Sequence, residues 1–147
     1  MAMEGMSTIV KKVSQLMAGL IFMYGIYIVL HGHLTPGGGF AGGAIIAGAF
    51  ILLILAFGSS ALYLKKEVAG SSNTESIAIL LVVVLALVAL AFGARVFFNN
   101  FLPLGEAGEL ISAGVIPLYN LFIGIEVGGA ILTIFLALVI FKEESSK

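Results

Sequence analysis

One carboxylate stands out among the side chains that could do chemistry. Glu126 lies inside a long apolar run, Leu118–Phe141, about 12 Å from the start of that run at ~1.5 Å of helical rise per residue. An ionised side chain is costly to hold in hydrocarbon, so a carboxylate at that depth is neutralised, paired with a cation, or set against a water-filled path. Glu126 is therefore a candidate proton or sodium site, or one step of a relay. A pairing residue that only orients its helix against a neighbouring subunit is the alternative. Gly124 and Gly128 flank it at a spacing that admits a second helix closely. On sequence alone, this glycine-lined side is the expected contact with a foreign subunit.

Other ionisable residues cluster near the ends of apolar runs. Arg95 stands three residues before the end of Ile77–Phe98, placed either to snorkel to the interface or to pair with Glu106 or Glu109. Those two glutamates are three apart and share a face if their stretch is helical. His31 and His33 carry the side chain that changes charge in the physiological range. Two residues apart, they do not share a helical face, and no third ligand is nearby, so no metal site is expected.

The segment after them, Thr35-Pro36-Gly37-Gly38-Gly39-Phe40-Ala41-Gly42-Gly43, is the most distinctive in the chain. Gly37, Gly39 and Gly42 match G-x-G-x-x-G, yet no strand precedes them and no acid follows some ~20 residues on, which excludes a dinucleotide site. Proline fixes φ and glycine admits positive φ, so the segment reads as a tight turn. It leads into a helix whose bare start, with Gly38 and Gly39 each four residues before Gly42 and Gly43, favours close packing.

The elements that position these residues follow from composition. The chain has 147 residues, 61% hydrophobic and 10% charged, against roughly a quarter charged in a soluble domain. Mean hydropathy is +1.19. A net charge of −1 provides no basic patch for nucleic acid. With no cysteine there is no disulfide framework or thiolate metal site. Neither a nucleophile–base pair nor a redox ligand set is present, so the chain reads as non-catalytic and without cofactor.

Four apolar runs, Val13–Leu30, Phe40–Leu64, Ile77–Phe98 and Leu118–Phe141, hold 18 to 25 residues each. A helix needs ~20 to cross a bilayer, and in lipid a helix satisfies its backbone internally. The expected fold is all-α: one integral membrane domain, residues 1–147, with four transmembrane helices and no extramembrane domain. Lys11, Lys12, Lys65, Lys66, Lys142 and Lys147 all fall on one side of such an arrangement, and the positive-inside rule puts both termini in the cytoplasm. The first run follows two lysines as a signal peptide does, but it exceeds a usual h-region and no A-x-A site follows, so it is expected to be retained. Lys65–Ser76 is expected as an inside loop whose Ser71–Glu75 stretch caps the third helix. Asn99–Pro117 is expected as a short interfacial or re-entrant piece, with Pro117 in the first turn of the fourth helix.

The string from His31 or His33 through Thr35-Pro36-Gly37-Gly38-Gly39-Phe40 to Gly42-Gly43 resembles the MnhB (MrpB) family, small membrane subunits of multisubunit Na⁺/H⁺ antiporters. Related subunits occur in archaeal membrane-bound hydrogenases and similar respiratory complexes. A second likeness runs from Pro117 through Asn120, Gly124 and Val127 to Gly128, so the resemblance covers most of the chain. It implies a non-catalytic subunit of a hetero-oligomer in a prokaryotic plasma membrane, with other membrane subunits as partners and Na⁺ and H⁺ as the ions moved. Larger antiporter-like subunits would carry the main proton channel. The family often has Lys where this chain has Glu126, and the reversed charge implies a different neighbour, as in the hydrogenase-linked assemblies. Two other readings stand beside this one. An independent homodimeric proton-coupled exporter would be expected to hold its carboxylate in the first helix, which has none; a structural spacer would tolerate loss of every polar side chain.

Overall fold

The computed structural model describes residues 6–58, 64–93 and 96–145. Its regular elements are four α-helices: α1 (Thr8–Leu30), α2 (Gly38–Phe57), α3 (Leu64–Ala91) and α4 (Ile116–Ser145). Each contains a stretch long and apolar enough to cross a membrane, 20 to 27 residues in length. The chain is a multi-pass membrane protein, and the all-helical expectation agrees with the structure.

The helices pack in the order α1–α2–α4–α3, with a slight contact between α1 and α4. α2 and α4 run parallel: Gly39 meets Asn120, Gly43 meets Gly124 and Gly128, and Ile54 packs with Leu136. α1 runs against α2, its start tied to α2's end by the Met6 amide donating to the Ala56 carbonyl (2.9 Å). The first residues of α1, the end of α2 and the last turns of α4 therefore share one end of the bundle. Lys11 lies over the Phe57 ring there, 5.9 Å from its centroid.

Small residues make this packing possible. The buried apolar positions are mostly alanines, among them Ala18, Ala47, Ala56, Ala78 and Ala89, and Leu136 is the one large side chain fully enclosed among the described residues. The large apolar side chains instead point outward, as lipid or partner subunits require. A methyl group on Gly43 would sit 2.5 Å from the Gly124 carbonyl oxygen, and one on Gly39 would run into the Asn120 backbone. On the other side of α2, a methyl on Gly42 would collide with Val29 and lie 2.9 Å from the Gly25 carbonyl oxygen.

Two expectations are corrected here. The glycine face of Gly124 and Gly128 is covered within the same chain, Gly124 by Val29 of α1 and Gly39 of α2 and Gly128 by Gly43 of α2, not by a foreign subunit. Glycines on α2 and α4 are mutually complementary, so the closest available partner was internal. Lys65–Ser76 is not a loop: it forms the first half of α3. Its polar side chains bond within the helix and to α4: Thr74 Oγ1 donates to the Gly70 carbonyl (2.9 Å) and Ser76 Oγ to the Ser72 carbonyl (2.9 Å). Back-bonding of this kind lets serine and threonine sit inside an apolar helix without orphaned hydroxyls.

Candidate functional site

The polar first half of α3 meets the middle of α4. Ser71 Oγ donates to the Gly129 carbonyl at 2.8 Å. Gly129 is the midpoint of α4's apolar stretch, Ile116–Lys142. A side chain at Gly129 would touch the Ser71 carbonyl oxygen (3.3 Å) and the Glu75 amide and Cβ (3.4 and 3.5 Å). Glycine is what brings the two backbones together at this depth. Glu75 is half-buried against this contact. Glu126, also half-buried, stands one turn before Gly129 on α4, about 4.5 Å along the axis. Thr133 stands one turn beyond, and its Oγ1 is buried without a hydrogen-bond partner.

The spacing on α3 explains why this face turns inward. Ser71, Glu75 and Ala78 recur at the i, i+4, i+7 interval of one helical side, continued by the buried Ala86 and Ala89. Glu126 is conspicuous in the sequence, whereas the approach of Ser71 and Glu75 to α4 is carried only by that periodicity, beneath a run of serine, asparagine and threonine that resembles a loop.

Beside this contact lies a cavity of about 630 Å³. Ser71, Thr74 and Gly129 form its polar edge, while Phe22 and Ile26 from α1 and Phe50 from α2 form its apolar wall. Gly124 and Gly128 also border it, so the glycines of α4 serve two purposes: they admit α2 and leave space toward α3.

The remaining described candidates gather at the opposite end of the bundle from the start of α1 and the end of α4. His31 caps α1: its amide and its Nδ1–H both donate to the Tyr27 carbonyl (3.0 Å each), and its ring stacks on Tyr27 with centroids 4.1 Å apart. His33 Nε2–H donates to the Glu109 carbonyl (3.3 Å), fastening the α1–α2 turn to the loop before α4. The other ring nitrogen of His33 is buried without a partner. The two imidazoles therefore serve different segments. Gly37 and Gly38 take φ values of +136° and +65°, conformations open to glycine, and the Gly39 amide donates to Asn120 Oδ1 (3.3 Å).

Glu106 and Glu109 are exposed and lie in a turn, the Glu109 amide donating to the Glu106 carbonyl (3.3 Å). The helical stretch that would have given them a common face does not form. Gly105 and Gly108, both at positive φ, break it. Arg95, and with it the pairing considered for it, lies outside the described residues. Asn100 organises the loop: its Oδ1 accepts from the Val115 amide (3.0 Å) and its Nδ2 donates to the Leu102 carbonyl (2.7 Å).

Comparison with known proteins places this geometry. Residues 9–133 match a family described as a domain related to the MnhB subunit of Na⁺/H⁺ antiporter. The antiporter subunit mnhB2 of Staphylococcus haemolyticus is 30% identical over 92% of this chain and 96% of its own length. An uncharacterised protein of Methanocaldococcus jannaschii is 38% identical over 81% of this chain. A chain of the membrane-bound sulfane sulfur reductase, an archaeal respiratory membrane complex, shares the fold with a TM-score of 0.76 and 34% identity over 94% of this chain. The matched regions span 47% of the archaeal relative and 60% of the solved chain, so both are considerably longer proteins.

Proposed function

The chain belongs to the MnhB family, and from that premise we propose that it is a non-catalytic subunit of a multisubunit Na⁺/H⁺ antiporter-type module, contributing to cation translocation. The module sits in a prokaryotic plasma membrane with other membrane subunits around this chain. Both termini face the cytoplasm, because Lys11, Lys12 and Lys142 fall at one end of the bundle and the positive-inside rule assigns that end. Large apolar side chains on the outer faces of all four helices suit burial by neighbouring subunits as well as lipid.

The observation that carries the reading is Glu126, a half-buried carboxylate one turn from the midpoint of a 27-residue apolar stretch, in a chain matching an antiporter subunit nearly end to end. An acidic side chain at that depth needs a function or a partner to offset its desolvation. The test is Na⁺-dependent pH change in membrane vesicles holding the intact complex. Glu126→Gln is expected to slow the exchange while the complex still assembles. Unchanged exchange with intact assembly would remove Glu126 from the ion path and leave the chain a structural spacer.

A respiratory host is a second reading, supported by the 34% identity to a chain of an archaeal respiratory membrane complex, whereas the staphylococcal antiporter subunit matches nearly end to end. Purification from native membranes discriminates between them: redox subunits co-purify in the first case, and antiporter subunits alone in the second.

A further inference from the structure

We propose that the face of α3 turned away from α4 is the seat of one transmembrane helix from another subunit, which meets the Asn73 amide with a polar side chain near the middle of the membrane. This rests on the multisubunit reading above and names where such a subunit touches this chain.

Depth is the first observation. The Ser71–Gly129 hydrogen bond sets Ser71 level with the midpoint of α4's apolar stretch. Asn73 is two residues on, about 3 Å along the axis, and it is exposed. Ser76 is exposed as well, but its hydroxyl is already bonded to the Ser72 carbonyl. An asparagine amide has donors and an acceptor to place, and hydrocarbon offers them no partner. Lipid is therefore the wrong neighbour for this face, whereas polar side chains on two facing helices satisfy each other.

The second observation is an axial offset. α2 and α4 run parallel, so α3, the span between them, runs against both. Its own apolar stretch, Gly70–Ala91, is centred near Leu80 and Leu81, about 14 Å along α3 from Ser71. The two spans thus stand about half of a ~30 Å hydrocarbon layer out of step. An ordinary tilt of ~20° across an interaxial distance of ~9 Å recovers only about 3 Å of this. With α4 centred, Asn73 sits in mid-membrane while Leu87 stands about 24 Å from the level of Ser71, past the hydrocarbon edge. A protein helix along α3 covers both ends of that mismatch, and lipid covers neither.

The face fits a single helix. Asn73, Ile77, Leu80, Val84 and Leu87 follow one another at spacings of four and three residues, the seam of a left-handed helix pair. All five are exposed, the apolar four at 44–59%. At ~100° per residue they lie on the side of α3 opposite Ser71 and the buried Ala78 and Ala89. One asparagine in such a seam fixes the register of its partner. The occupant is an apolar span with a hydrogen-bonding side chain at the level of Asn73.

The test replaces Leu80 with photoreactive benzoylphenylalanine in the native complex, in its membrane, with Asn73 in place. Irradiation is expected to join this chain to a different membrane subunit. Mass spectrometry should place the adduct in an apolar span with a polar side chain about seven residues, ~10 Å, away. Asn73→Leu is expected to lower retention of that subunit through detergent washing about threefold to tenfold, the range of one interhelical hydrogen bond. Asn73→Gln, which keeps the amide, is expected to restore most of it and guards against a folding defect. Adducts with lipid alone, or with a second copy of this chain, overturn the proposal. So does free reaction of Asn73→Cys with a membrane-impermeant thiol reagent in the intact complex, which would make this face the wall of an aqueous path. A chain that migrates alone refutes the multisubunit reading; a large assembly in which Leu80 captures only lipid refutes this one.

Discussion

Replacing Gly43 by alanine tests the packing of the bundle at its tightest point. The added methyl would lie 2.5 Å from the Gly124 carbonyl oxygen, 3.1 Å from the Gly128 amide nitrogen and 3.1 Å from Val127 Cβ. Two of these neighbours are backbone and have no rotamer to change. α2 and α4 must therefore separate by roughly an ångström, enough to forfeit about a quarter to a half of the dispersion attraction along the contact. Overpacking of this kind costs ~1–3 kcal/mol, or about fivefold to a hundredfold in the folded-to-unfolded ratio. Gly48→Ala is the matched control, because a methyl there meets nothing within 4 Å and alanine favours a helix interior by ~0.5–1 kcal/mol. The chain has no cysteine, so a single Ser14→Cys, at a position 7% exposed, reports unfolding through thiol reactivity. The measurement is thiol labelling of the solubilised complex across an SDS titration. Gly43→Ala is expected to react at lower SDS than the parent, and Gly48→Ala at the same or higher. Coincident curves for the two variants would refute the claim that α2 and α4 meet backbone to backbone.

Ser71→Ala removes the hydroxyl that donates to Gly129 and is expected to cost ~0.5–1.5 kcal/mol in the same titration, with Ser72→Ala as the comparison. Asn100→Ala strips the loop before α4 of its bonds to Leu102 and Val115; limited proteolysis should then cut residues 96–115 several times faster (a rate ratio of roughly 3–10 for ~1 kcal/mol) while the helices stay intact. Single cysteines at Ser7 and Lys142 are expected to react with a membrane-impermeant thiol reagent from the same side of the membrane, and one at Leu104 from the other.

Hydropathy made the number of helices legible, because a single apolar segment of that length satisfies all its backbone groups in lipid on its own only as a helix. The turn at Pro36–Gly39 was equally legible, since proline and consecutive glycines permit few backbone conformations. The residues that glycine faces would meet were not. Gly39, Gly43, Gly124 and Gly128 announce a close approach, but the identity of the partner helix is a matter of how four helices share space, and α2 chose α4. Residues Ser71–Ser76 misled for a different reason. Serine, asparagine and threonine favour turns when their side chains compete for backbone, and here the same groups satisfy carbonyls one turn back or on α4. Periodicity across the polar–apolar border, from Ser71 and Glu75 to Ala78, Ala86 and Ala89, was the better guide than polarity alone.

Gentle solubilisation of native membranes, followed by sizing and identification of whatever migrates with this chain, tests its role most directly. A subunit of a cation-moving module is expected to run in a large assembly with antiporter-type membrane proteins, in vesicles whose Na⁺-dependent pH change falls when Glu126 becomes glutamine. A small particle of one or two copies, transporting without companions, would contradict it.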